Sequence, residues 1–353
     1  MTDKQPGAER DFEIVRAPRV PFPDISPRAY EHPADKGALA GLRAIPGVSE
    51  VLRSAAGLFS ERGERLMALA SAIRVGERQY PTLDRLRLEC AATLDLPALP
   101  NVYVARSAEA NAFAIGMDQP FIVVTTGLVE ALDTEALRFA IGHEMGHVLS
   151  GHAVLRTLLI RLINLQASMS LVPLGALGLR AVIAALREWF RKAELTCDRA
   201  GLLCCQDPQA ALRTHVYLAG GTDLREIDIP SFLRQAEEYE QIEDVRDSIH
   251  KFRNVEVMNH PLTVVRAAQL QRWAASADYR RILSGDYPRR GDEAPGSTFL
   301  DDLRGAARSY RDGATESSDP LLKMLSEVGA GVSDAAGRLF RGFSGGGGDC
   351  ERR

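Results

Sequence analysis

What the chain lacks narrows the field first. Its 353 residues include only five cysteines (Cys90, Cys197, Cys204, Cys205 and Cys350), and no two are spaced as Cys-x-x-Cys. An odd set without paired spacing excludes a disulfide framework and reads as reduced thiols in a cytoplasmic setting. Excess positive charge is also missing: 43 Lys and Arg stand against 47 Asp and Glu, a formal net charge of -4. Nucleic acid is therefore not expected as a partner, because phosphate binding calls for a clustered basic face. The opening MTDKQPGAERDFE has neither the basic start nor the apolar run of a secretory signal, so export is not expected.

A clean membrane span is absent too. The charge-free run 162–179 approaches the roughly twenty apolar residues a span requires. It is interrupted, however, by Asn164, Gln166, Ser168, Ser170 and Pro173, and flanked by Arg156, Arg161, Arg180 and Arg187. It is expected as a buried helical hairpin over a cleft, with a peripheral membrane contact through residues 154–186 left open.

What is present is ordinary globular material, 45% hydrophobic and 25% charged, enough to bury a core without staples. Residues 1–35 hold six prolines and little periodicity, and read as an extended or disordered lead-in. From Val48 to Ile73 apolar residues recur at helical spacing, broken by Gly57 and Gly63; Thr82 to Leu94 is a further helix. Then Asn101–Ala105, Ala112–Ile115 and Phe121–Thr125 read as three short strands of a small sheet. Asp133 or Thr134 caps a helix over 134–150, and a second helix is expected from about residue 186. The main domain is thus 36–285. The polar, Gly-rich stretch 286–353 reads as a mostly disordered tail with a weak amphipathic stripe over 319–343.

The chemistry concentrates in His143-Glu144-Met145-Gly146-His147. Residues four apart lie about 40° apart around a helix, so His143 and His147 share one face. Two imidazoles there reach a single zinc ion, and Glu144 is placed to touch the attacking water. A third ligand is needed. His152 lies about 140° off the ligand face and is read as structural, and position 153 is Ala. The better candidate is Glu194, read as opening a second helix, with Asp198 one turn on to accept the spare N–H of a ligand histidine. The ordinary alternative is a helix with two unrelated histidines and a solvated Glu–Asp pair.

Together these motifs resemble the HtpX-like and CAAX-prenyl-protease-like zinc metallopeptidases, family forty-eight of the metallopeptidases. The resemblance covers Asn111-Ala112-Phe113-Ala114-Ile115-Gly116, Val124–Leu128, the HEMGH, Gly151-His152, Glu194-xxx-Asp198-Arg199 and His260-Pro261 with Arg266. It implies a mainly helical α+β fold of gluzincin type, with one Zn2+ held by His143, His147 and Glu194. It further implies an extended polypeptide substrate added to an edge strand at Asn111, Ala112, Phe113 and Ala114. His260 is implied as a late cleft residue that stabilises the oxyanion or approaches the metal, with Arg266 beside it. Read from sequence alone, His260 is a loop histidine before a proline. A zinc-bearing chaperone-like or scaffold protein with little protease activity, and a hydrolase for another bond, are the alternatives.

Overall fold

The computed structural model of the chain describes residues 18–45, 48, 52, 61–117, 119–168, 175–241 and 262–292. Helix α1 spans Pro33–Ala44 and α2 spans Glu61–Ser71, followed by the short strand β1, Ile73–Arg74, and helix α3, Pro81–Thr93. Strands β2 (Val102–Ala105), β3 (Ala112–Ile115) and β4 (Phe121–Thr125) come next. The remainder is helical: α4 (Thr126–Ala131), α5 (Thr134–Leu149), α6 (His152–Ser168), α7 (Gly175–Cys205), α8 (Pro208–Leu218), α9 (Ile229–Gln241), α10 (Thr263–Ala274) and α11 (Ala277–Leu283). This is the mainly helical α+β architecture that the motifs imply.

The four strands form one sheet in the order β1-β2-β4-β3, with β2 and β4 parallel and the other pairs antiparallel. The three expected strands are joined by β1, whose two residues carry no alternation of their own and pair with Tyr103 and Val104. Alternation in the other strands decides the layers. Val102, Val104, Ile122 and Val124 face the main core with α3, α5 and α7, while Tyr103, Phe121 and Val123 pack on the other face against Ala68 of α2. Strand β3 is left at the edge.

Three expectations need correcting. Residues 18–35 are not an extended lead-in: Phe22, Ile25 and Tyr30 are fully buried in the main core, and Ile25 bridges to Arg289. Burying Phe22 and Ile25 stabilises by about 1.5–3 kcal/mol each, which explains why proline-rich chain is held in place. On the other end of the domain, the tail begins later than residue 286, since Tyr287 packs edge-on to Phe22 at 5.8 Å. Finally, Glu194 does not open a helix. It lies deep inside α7, which runs unbroken from Gly175 to Cys205, and no proline interrupts those residues. The stripe at 319–343 and His260 lie outside the described residues.

The crossing of α5 and α7 sets the site. A Cβ on Gly142 would sit 2.5 Å from Cys204 Cβ, and one on Gly146 would sit 2.6 Å from Ala200 Cβ. Both contacts are closer than real carbon atoms approach. These two glycines flank His143 and precede His147, so the helices close together where the histidines turn towards Glu194. The described cysteines (Cys90, Cys197, Cys204 and Cys205) are free and buried. Helices α6 and α7 share a second apolar cluster with α1, built on Leu158, Leu162, Val182, Leu186 and Trp189.

Candidate active site

Asp133 caps α5 by accepting hydrogen bonds from the N–H groups of Glu135 and Ala136, which fixes the start of the helix that carries His143, Glu144 and His147. All three side chains are buried, as are Glu194 and Asp198 on α7. His147 Nε2 lies 3.2 Å from Glu194 Oε1, and His143 Nε2 lies 3.6 Å from Glu194 Oε2. In a tetrahedral site with bonds of about 2.1 Å, neighbouring donors stand about 3.4 Å apart. Two imidazoles and a carboxylate at these separations therefore fit a metal ion both in size and in chemistry. Phe190 supports the set from one side, stacked on the His147 ring at 5.4 Å and 11°.

A second group, His147, His152 and Cys197, also comes within 4.8 Å of mutual reach. It is the weaker candidate. His152 Nε2 is 3.2 Å from Asp35 Oδ2. Burial, with Glu194 and Asp35 nearby, pushes the Cys197 thiol well above its ordinary range, and it is the thiolate that binds metals.

Behind the ligand set, His143 Nδ1 donates to Asp198 Oδ1 at 3.0 Å. Arg266 of α10 donates twice to Asp198, at 2.8 and 2.6 Å, and pairs with Glu194 Oε2 at 2.7 Å. His215 of α8 approaches the same Asp198 oxygen at 3.4 Å. Burial would raise the Asp198 carboxyl, but Arg266 and His215 outweigh it and hold the group well below the usual carboxylate range. Burial lowers His147 to about 4 despite Glu194. The same burial acts on His143, yet Glu194 and Asp198 overcome it and hold that imidazole up at about 9. Without a metal the site thus carries a proton on His143 where a metal would sit.

The two oxygens of Glu144 face different ways. Its Oε2 accepts the Ala114 N–H of the edge strand at 2.7 Å, while Oε1 is 4.0 Å from His143 Nε2. A cavity opens beside it, lined by Asn111, Ala112, Leu128, Phe139, His143 and Leu218, among others. The structure therefore brings His143, Glu144, His147, Glu194, Asp198 and the strand 111–114 to one place. Arg266 bonds both carboxylates and also lines this cavity. Sequence reasoning missed Arg156, Thr157, Phe190 and His215 at this site. Arg156 was legible only as a charge flanking an apolar run, and His215 only as a lone histidine in a helix.

A His-Glu-x-x-His helix crossed by a glutamate-bearing helix at metal-binding distance defines a metal-dependent peptidase site. The comparisons agree: the model of Peptidase family M48 matches residues 77–274, and the chain belongs to that family. It is 34% identical over 277 residues to the plastoglobule-localized metallopeptidase 48, chloroplastic, of Arabidopsis thaliana, covering 76% of this chain and 79% of that protein. A protease HtpX homolog of Pediococcus pentosaceus is 30% identical over 118 residues, 33% of this chain and 38% of its own length. One from Ralstonia pickettii is 24% identical over 254 residues, 63% and 83% respectively. No solved structure matches the chain significantly. The chain is thus a metallopeptidase of this family, and among the described residues no helix is long and apolar enough to cross a membrane.

Proposed function

We propose that the protein is a zinc metalloendopeptidase that hydrolyses peptide bonds in extended polypeptides, with one zinc ion per chain on His143, His147 and Glu194. The observation that carries this reading is the pair of 3.2 and 3.6 Å separations between the histidine nitrogens and the Glu194 carboxylate, with Glu144 beside them. Zinc is the metal favoured by two imidazoles and a carboxylate in a four-coordinate site. When bound, it supplies the Lewis acidity that polarises a carbonyl and acidifies water.

The chain's own residues do the rest. Glu144 takes the proton of the attacking water on Oε1, the oxygen that faces the histidines, and returns it to the leaving amine. Asp198 holds His143 in the tautomer that leaves Nε2 for the metal, and Arg266 keeps Asp198 ionised and both carboxylates aimed. The substrate runs along the edge of β3 as an added strand, against Asn111, Ala112, Phe113 and Ala114. His260, by its place in the family motif, is assigned to the developing oxyanion. Cytoplasmic placement with a peripheral contact through 154–186 belongs to the same reading. Because one relative's name places it at the plastoglobule, fractionation should score particle-bound as well as soluble protein.

The test pairs elemental analysis with cleavage of an unfolded polypeptide. Wild type should carry near-stoichiometric zinc that His147→Ala loses. Glu144→Gln should keep the zinc and lose on the order of 10²–10⁴ in rate. Full cleavage by Glu144→Gln would sink the mechanism. Zinc without any cleavage by wild type would transfer the case to the chaperone-like or scaffold reading.

A further inference from the structure

Arg156 projects from α6 into the same site, towards Glu144. Its residue is only 8% exposed, and its guanidinium lies 5.5 Å over the Phe113 ring and 4.9 Å over the Phe190 ring. Phe113 belongs to the edge strand and Phe190 stacks on His147, so Arg156 is clamped between the substrate strand and the metal set. Its Nη1 is buried and has no hydrogen-bond partner among the described residues. That same Nη1 stands 3.9 Å from Glu144 Oε2, near enough to attract and too far to bond. A buried guanidinium nitrogen in that condition is costly unless another state satisfies it.

The strand beside it shows which state that is. Within the sheet, Ala114 is paired to Ile122 of β4, and its N–H points the other way, to Glu144 Oε2 at 2.7 Å. A peptide that adds to the edge needs this outward N–H. Two residues on, the next outward N–H, that of Gly116, is taken by the Thr157 hydroxyl at 2.9 Å. Glu144 and an incoming peptide therefore compete for one donor, and binding must release Oε2.

We propose that Arg156 is a positioning residue that receives Glu144 Oε2 when a peptide strand takes over the Ala114 N–H. The carboxylate moves by little more than an ångström, from a backbone donor to a charged one. Oε1 keeps its place towards the histidines throughout. Arg156 thereby holds the base aimed in the substrate complex, where the backbone no longer does. This inference rests on the peptidase reading above and on the edge of β3 as the substrate strand.

The experiment compares Arg156→Met, which keeps the stem against both rings but removes the charge, with Arg156→Lys and Glu144→Gln, using a quenched-fluorescent extended peptide and zinc-loaded full-length protein. Arg156→Met should retain zinc and melting temperature, keep KM within about threefold, and lose on the order of 10²-fold in kcat. Arg156→Lys should recover part of that loss. In the Glu144→Gln background, Arg156→Met should change the residual rate by less than about twofold, because its action passes through Glu144. If the methionine variant fails to fold, Arg156→Gln carries the same comparison. An unchanged kcat in a folded, zinc-loaded Arg156→Met would overturn the proposal, as would a full further loss in the Glu144→Gln background. An active Glu144→Gln would instead refute the peptidase mechanism itself, so the two failures are distinct.

Discussion

The two sides of the His143–His147–Glu194 set are built differently. Towards α10 the polar groups are locked: Arg266 gives hydrogen bonds of 2.8 and 2.6 Å to Asp198 and an ion pair of 2.7 Å to Glu194, and Asp198 accepts from His143. Towards β3, Glu144 accepts the short Ala114 N–H bond, and among the described residues the Arg156 guanidinium stops 3.9 Å from it. Groups that hold a metal gain by being fixed in advance. A group that carries a proton must change partners within each turnover, and a rigid network would oppose it. The molecule spends its strongest interactions on the first task and leaves room for the second.

Substitutions can break that contrast. Arg266→Met should have the largest effect, because it leaves Asp198 and Glu194 as buried carboxylates without their cation. Removing one partner from such a cluster costs about 3–5 kcal/mol, read as a lower denaturation midpoint, with metal affinity falling roughly 10–100-fold. If Arg266→Met melts like wild type, the locked side is not what fixes the ligands. Gly146→Ala comes next. Its methyl group would meet Ala200 Cβ at 2.6 Å and must push α5 from α7, an overpacking cost of about 1–3 kcal/mol. Calorimetry should then show weaker metal binding, although no ligand has been altered.

The smallest effect is one of pH. In the metal-free protein the folded His143 imidazole is raised to about 9, above its ordinary value near 6.5. Its contribution to stability is therefore complete below about pH 6.5 and is lost as pH rises through about 9. Metal takes the place of that proton. Uptake near pH 7.5 should release about one proton per ion, measurable by titration in buffers of different ionisation enthalpy. His147, lowered to about 4, should release none. Equal stability–pH curves for metal-free and metal-loaded protein would remove the claim.

Much of the site was legible because it rests on helical periodicity. The spacing of His143 and His147, the Asp133 cap and the Glu194–Asp198 pair are local facts of a chain with 3.6 residues per turn. The short β-branched and aromatic runs at 102–105 and 121–125 likewise announced the sheet. The errors share a different cause. Residues 18–35 looked disordered since proline suppresses periodic signals, yet Phe22, Ile25 and Tyr30 find burial against residues far along the chain. Glu194 is read as a helix start, while α7 runs through all of Gly175–Cys205. Strand β1 exists only through its pairing with β2.

By itself, then, the sequence determined the two histidines on one helical face, the glutamate between them and the third acidic candidate, since each follows from residue type and spacing along one element. The mainly helical α+β class comes from the family resemblance of the motifs together. Tertiary structure alone decided that Arg266 locks the carboxylates, that Gly142 and Gly146 draw α5 onto α7, and that Arg156 waits 3.9 Å from Glu144. Those contacts join residues on different helices, from 12 positions apart for Arg156 and Glu144 to 68 for Arg266 and Asp198. No local periodicity encodes such a pairing; it arises only when burial of a shared core brings the elements together.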